Sequence, residues 1–188
     1  MGLSDIVQVA AGAEFSLFLK SDGTVWACGH NGFGQFGNSS NASKNRPVLI
    51  TGLTEIVHIS AGEWHSLFVK KDGSVFSAGR NHYGQLGDGS TIDKNVAIQI
   101  IGLSDIIQAD AGGIHSVFVK RDGSVWSSGL NSGGNNDGQL GDGTKVDRSV
   151  PVQVINSWGS GKIIYASATR EHTLFLHEDG TIWACGRN

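Results

Sequence analysis

The chain has 188 residues, with 14 Lys and Arg against 17 Asp and Glu, for a formal net charge of -3. That length suits one ordinary domain rather than two independent ones, and the mild acidity argues against a domain that binds nucleic acid over its whole surface. Charged residues are only 16% against 39% hydrophobic, which excludes a charged disordered tail, and 28 glycines with no Gly-X-Y period exclude collagen and point to many tight turns.

In chain order, Met1-Gly2-Leu3-Ser4-Asp5 has neither a basic n-region nor an apolar h-region, and no stretch reaches the length of a membrane span. This favours the cytoplasm over classical secretion. Ile6 stands where a myristoylation signal needs Ser or Thr. The first β-rich run is Ile6–Ala10. It is followed by Ser16–Leu19, an Asp22-Gly23 turn, Thr24–Cys28, a long Gly-rich loop and Val48–Ile50. The same order returns as Ile56–Ser60, Ser66–Val69, Asp72-Gly73, Ser74–Ala78 and Ile98–Ile100. A third pass runs Ile106–Asp110, Ser116–Val119, Asp122-Gly123, Ser124–Ser128 and Val152–Val154. A fourth runs Ile163–Ser167, Thr173–Leu176, Asp179-Gly180 and Thr181–Cys185, with no fourth strand. Asp-Gly tolerates positive φ at both central turn positions, so each pair predicts a tight antiparallel hairpin.

Phe15, His65, His115 and His172 anchor the repeat at spacings of 50, 50 and 57 residues. Insertions around 131–138 and 157–161 lengthen the last interval. The units run over about 1–50, 51–100, 101–155 and 156–188, within a single repeat domain. No window carries a sustained helical period. Four short antiparallel strands per unit, with an aromatic in each third strand (Trp26, Phe76, Trp126, Trp183), predict an all-β protein of β-propeller type. The chain would supply about three and three-quarter four-stranded blades.

Several words of the repeat carry a family likeness. Gly32-Phe33-Gly34-Gln35-Phe36-Gly37, Tyr83-Gly84-Gln85-Leu86-Gly87-Asp88-Gly89 and Gly138-Gln139-Leu140-Gly141-Asp142-Gly143-Thr144 resemble the signature of the regulator of chromosome condensation (RCC1-type) repeats. His65-Ser66-Leu67, Asp72-Gly73-Ser74-Val75 and Pro151-Val152-Gln153-Val154 fit it too. The resemblance implies a propeller that serves as an interaction platform. The family's founding member also exchanges guanine nucleotide on a small GTPase. Family propellers generally close with seven blades, so the incomplete fourth unit reads either as part of a larger protein or as an arc completed by self-association.

No catalytic, cofactor or metal site is expected. His65, His115 and His172 recur once per unit, so they are spread radially, and Phe15 in the first unit shows that the imidazole is dispensable. They read as packed structural histidines. Cys28 and Cys185 are too few for a disulfide framework or a four-ligand zinc site. The Asp-Gly acids are turn formers, and the Gly-Gln-Leu-Gly-Asp-Gly loops lack the Gly-Lys-Ser/Thr of a phosphate loop.

Partner contacts are expected where one unit differs from the rest. Glu14, Glu63, Trp64, Ile114 and Glu171 lie before the second strands, with Trp64 the leading anchor because an exposed indole offers large area and one donor. Asn135, Asn136 and Asp137 in one insertion and Trp158 in the other complete the set. The leading function is a non-enzymatic protein-binding scaffold without cofactors, and the alternative is an exchange factor or effector fragment acting on a small GTPase. Homo-oligomerisation through the terminal blades is expected, with Ile6, Val7 and Val9 against Leu174, Phe175, Ile182 and Trp183.

Overall fold

The computed structural model describes residues 2–132, 138–155 and 157–187, and these form only strands, turns and loops. Sheet 1 holds β1 (Ile6–Ala11), β2 (Phe15–Lys20), β3 (Val25–Gly29) and β4 (Lys44–Leu49). Sheet 2 holds β5 (Ile56–Ala61), β6 (His65–Lys70), β7 (Val75–Gly79) and β8 (Lys94–Gln99). Sheet 3 holds β9 (Ile106–Ala111), β10 (His115–Lys120), β11 (Val125–Gly129) and β12 (Arg148–Gln153). Sheet 4 holds β13 (Ile163–Ala168), β14 (His172–His177) and β15 (Ile182–Gly186). Each sheet is an antiparallel meander in chain order, and together they make four blades of a β-propeller, the last with three strands.

The Asp-Gly turns differ from the expectation in one respect. Only the glycine takes positive φ (Gly23 at 79°, Gly73 at 81°). In sheet 1 the Gly23 amide donates to Lys20 C=O, and Lys20 N–H donates to Thr24 C=O. This is a three-residue hairpin closed by a left-handed glycine. That turn places only its last residue in the left-handed region, and the Asp22 carboxylate is used locally. It accepts from the Thr24 amide (3.0 Å) and hydroxyl (2.6 Å), which hold its pKa below the ordinary value. Asp72, Asp122 and Asp179 repeat the arrangement. The fourth strands also begin earlier than the apolar words suggested. Ile50, Ile100 and Val154 fall just past them, each amide donating to the third strand at Val25, Val75 or Val125.

Sheets pack face to face, with the first strand of a later sheet against the first and second strands of the one before. Three apolar clusters fill the gaps. Phe15, Leu17, Leu19 and Val25 meet Ile59 and Phe68 in the first, and Leu67, Val69 and Val75 meet Ala109 and Phe118 in the second. Val117, Val119 and Val125 meet Ala166 and Phe175 in the third. The two interior sheets are buried on both faces, so β6 and β10 lose the alternation that β2 and β14 keep.

Polar ties cross the same gaps. His65 Nε2 donates to Ser116 Oγ (2.9 Å), and His115 Nε2 donates to Thr173 Oγ1 (2.8 Å). Those hydroxyls are committed as donors to the carbonyls of Gln85 and Gln139, which fixes the direction. Both rings are fully buried, and among the described residues Nδ1 has no partner. Desolvation therefore drives their pKa values down, to about 3 for His65 and about 4 for His115. Gly62 admits this packing, since a Cβ there would stand 2.3 Å from Gly112 C=O and 2.7 Å from the His65 ring.

Candidate functional site

The turns between first and second strands and the long loops after the third strands share one edge of the propeller. Glu14, Glu63, Trp64, Ile114 and Glu171 therefore come to this edge, while the Asp-Gly hairpins occupy the opposite one. Trp158 belongs to the connection between β12 and β13, away from this edge. Its ring lies 5.6 Å from Phe175, and it lines a cavity of about 300 Å³ with Ile155, Trp183 and Cys185. Asn135, Asn136 and Asp137 lie outside the described residues.

On the shared edge the candidates divide by partner. Glu63 pairs with Arg170 across sheets (3.3 Å), and Glu171 pairs with Arg187 in its own sheet. Glu14 is exposed and Ile114 half-buried. Trp64 is half-buried rather than fully exposed, because the loop of sheet 1 packs on it. His30 meets its indole edge-on at 5.4 Å and Phe33 at 5.5 Å.

The packing extends to residues that the repeat comparison did not single out. The Arg80 guanidinium lies over the Phe33 ring (5.6 Å) and beside the Tyr83 ring (6.0 Å). Its Nε donates to His82 Nδ1 at 3.4 Å, and His82 Nε2 approaches Asp93 at 3.6 Å. His30, Phe33, Trp64, Arg80 and Tyr83 thus form one aromatic–cationic surface at the junction of sheets 1 and 2. The signal in the sequence was the pairing of His30-Asn31-Gly32-Phe33 with Arg80-Asn81-His82-Tyr83, both bulky where sheet 3 has Leu130-Asn131-Ser132.

Buried polar side chains fix this surface from beneath. Fully buried Gln35 accepts from the Phe33 amide (3.1 Å) and donates to His30 Nδ1 (3.1 Å). The Gly32 amide also donates to that nitrogen, so Nδ1 is an acceptor and Nε2 carries the proton. Asn31 accepts from the Phe36 amide and donates to Ser40 C=O, and Asn81 repeats both bonds with Leu86 and Ser90. Gly34, at φ 79°, seats the loop on sheet 2, where a Cβ would stand 2.4 Å from Asn95 Cα.

The carboxylates of the other long loops are occupied in the same structural way. Asp88 binds Asn81, Ser90 and Lys94, and Asp142 binds Asn131, Thr144 and Arg148. Among the described residues no group of His, Cys, Asp and Glu is arranged to hold a metal ion. Burial pushes the Cys185 thiol up to about 11, which suits a packed thiol and not a nucleophile.

The two outward sheet faces are apolar but composed differently from the sequence expectation. On sheet 1 Val9 and Phe18 form a pair facing away from sheet 2. Val9 is 66% exposed, whereas Ile59 at the same repeat position is 1% exposed. On sheet 4 Leu174, Leu176, Ile182 and Ala184 face outward at positions that are buried in the interior sheets. Phe175 and Trp183 instead face sheet 3, and Val7 belongs to a row of exposed first-strand residues with Val57, Ile107 and Ile164.

Repeats described as "Regulator of chromosome condensation (RCC1) repeat" match residues 22–69, 72–119 and 122–176, and a second family model with the same description matches 6–35 and 56–85. Human WBSCR16 superposes with a TM-score of 0.82 at 26% identity over 96% of this chain and 47% of its own. Prp20p from Saccharomyces cerevisiae, reported with its binding properties to Gsp1p and histones, superposes at 0.80 and 22% identity over 100% of this chain and 45% of its own. The ectodomain of the Physcomitrella patens receptor kinase CR4 gives 0.59 at 16% identity over 96% of this chain and 39% of its own. The chain thus spans about half the length of the first two solved proteins. With its three tandem matches covering most of the sequence and its sheets built as family blades, the chain belongs to the RCC1-repeat family.

Proposed function

We propose that this chain is a non-enzymatic protein-binding scaffold that engages its partner through the edge centred on Trp64. RCC1-type propellers commonly bind proteins or act on small GTPases. The observation that carries the reading is the aromatic–cationic surface of Phe33, Trp64, Arg80 and Tyr83. It is half-buried, anchored by Gln35 and specific to one junction of the repeat. Aromatic residues and arginine dominate binding energy where they are held rigid before contact, because little conformational entropy is then lost. The structural uses of His65, His115, Asp88 and Asp142 support a scaffold, since these groups are already spent on the fold.

The test uses a photo-crosslinking amino acid at position 83, followed by reconstitution of any crosslinked complex from purified components. Trp64→Ala is expected to weaken that complex at least tenfold, corresponding to about 1.4 kcal/mol or more, with the unfolding midpoint little changed. Binding unaffected by the substitution would remove the edge from the function. A fluorescent-GDP release assay on a small GTPase separates this reading from the exchange-factor alternative. The expected release rate is unchanged by the chain, and stimulated release would replace the scaffold with an exchange factor.

A further inference from the structure

We infer that the Trp64 edge recognises an acidic peptide segment of its partner, with a carboxylate seated on Arg80 and a neighbouring apolar side chain on Phe33 and Trp64; this rests on the scaffold reading above. The charge pattern of the surface carries the inference. Arg148, Arg170 and Arg187 each pair with a carboxylate of this chain, at Asp142, Glu63 and Glu171. Arg80, like the exposed Arg46 and Arg121, has none among the described residues, and it alone of these three is half-buried and held against two rings. Among the described residues its one side-chain hydrogen bond uses Nε, and the terminal guanidinium nitrogens have no acceptor there.

Trp64 adds a half-buried indole beside the cation. Its ring and the Arg80 guanidinium pack on the same ring, Phe33, so an apolar platform adjoins the cation. A planar guanidinium donates two parallel bonds to a carboxylate, and partial withdrawal from water strengthens such charge-assisted bonds. His82 does not compete for the ligand, since its Nε2 is turned to Asp93. A nucleic acid fits less well. The surface offers one cation without a carboxylate partner among the described residues, whereas a phosphate backbone is held by several cations in a row.

The experiment is to pan a random heptapeptide display library on the full chain, then synthesise the enriched peptide and its amide analogue, with Gln for Glu and Asn for Asp. Sequences with Asp or Glu beside an apolar or aromatic residue are expected. The amide analogue and Arg80→Gln should each weaken binding at least tenfold, and Arg80→Lys should weaken it less. Arg121→Gln, on the opposite edge, should leave it unchanged, with unfolding midpoints confirming that the variants fold. Enriched peptides without carboxylates but still dependent on Trp64 overturn the acidic assignment and leave the scaffold standing. No enrichment at all, or tighter binding of a thymidine oligonucleotide than of the acidic peptide, overturns it as well. The crosslinking experiment then decides the scaffold separately.

Discussion

Stability is expected to fall steeply between pH 6.5 and pH 4, and two buried histidines carry most of the loss. His65 and His115 are fully buried in the sheet gaps, each donating from Nε2 to a hydroxyl of the next sheet. Their folded pKa values lie at about 3 and about 4, against an ordinary value of 6.5. The unfolded chain therefore takes up protons below pH 6.5 that the folded chain refuses. The stabilisation is complete above pH 6.5 and is lost as the pH falls towards the folded values. Each histidine contributes a slope of roughly 1.4 kcal/mol per pH unit in that window. The double variant His65→Phe/His115→Phe is the check, because Phe15 shows that the position accepts a phenyl ring. Thermal unfolding from pH 4 to 7.5 should show a flatter dependence in the variant, whatever its stability at neutral pH. An equal slope in both proteins would mean that other groups drive acid unfolding.

The second large effect concerns the outward sheet faces, through which we propose that the 188-residue chain self-associates. Sheet 1 presents Val9 and Phe18, and sheet 4 presents Leu174, Leu176 and Ile182, the last 69% exposed. These rows occupy the positions that meet between adjacent sheets, where Ile59 and Phe68 of sheet 2 pack on Leu17 and Leu19 of sheet 1. The polar halves match as well, since Ser16 stands at the acceptor position of Ser116 and His172 at the donor position of His115. Thr169 departs from the pattern. It replaces the glycine that admits the next carbonyl, and its hydroxyl holds His172 Nδ1 at 2.7 Å. The apolar rows, not the backbone ties, would carry the contact. Sedimentation equilibrium is expected to give masses above 19.8 kDa that rise with concentration. Leu174→Asp should weaken association about 100-fold by placing an unpaired carboxylate in the contact. A monomer at every concentration would remove this proposal and leave the Trp64 edge untouched.

The sequence by itself determined the sheets, because period-two apolar words, Asp-Gly turns and a 50-residue repeat are local signals that need no distant partner. It also pointed to a fold role for His65, His115 and the turn acids, since each recurs at an equivalent position of the repeat. Tertiary structure decided what neighbouring blades do to one another. Alternation along β2 could not reveal that the same row in β6 is buried on both faces, because burial there comes from a sheet 50 residues away. Trp64 was legible as different from Glu14, Ile114 and Glu171, but its partners were not. His30 and Phe33 reach it from the loop of sheet 1, and Arg80 stacks on Phe33 rather than on any sequence neighbour. Likewise, the strand parity that turns Leu174 outward and Phe175 towards sheet 3 follows from which side the neighbouring sheet occupies. A pleated strand offers two faces of equal standing, and only packing assigns one of them to the core.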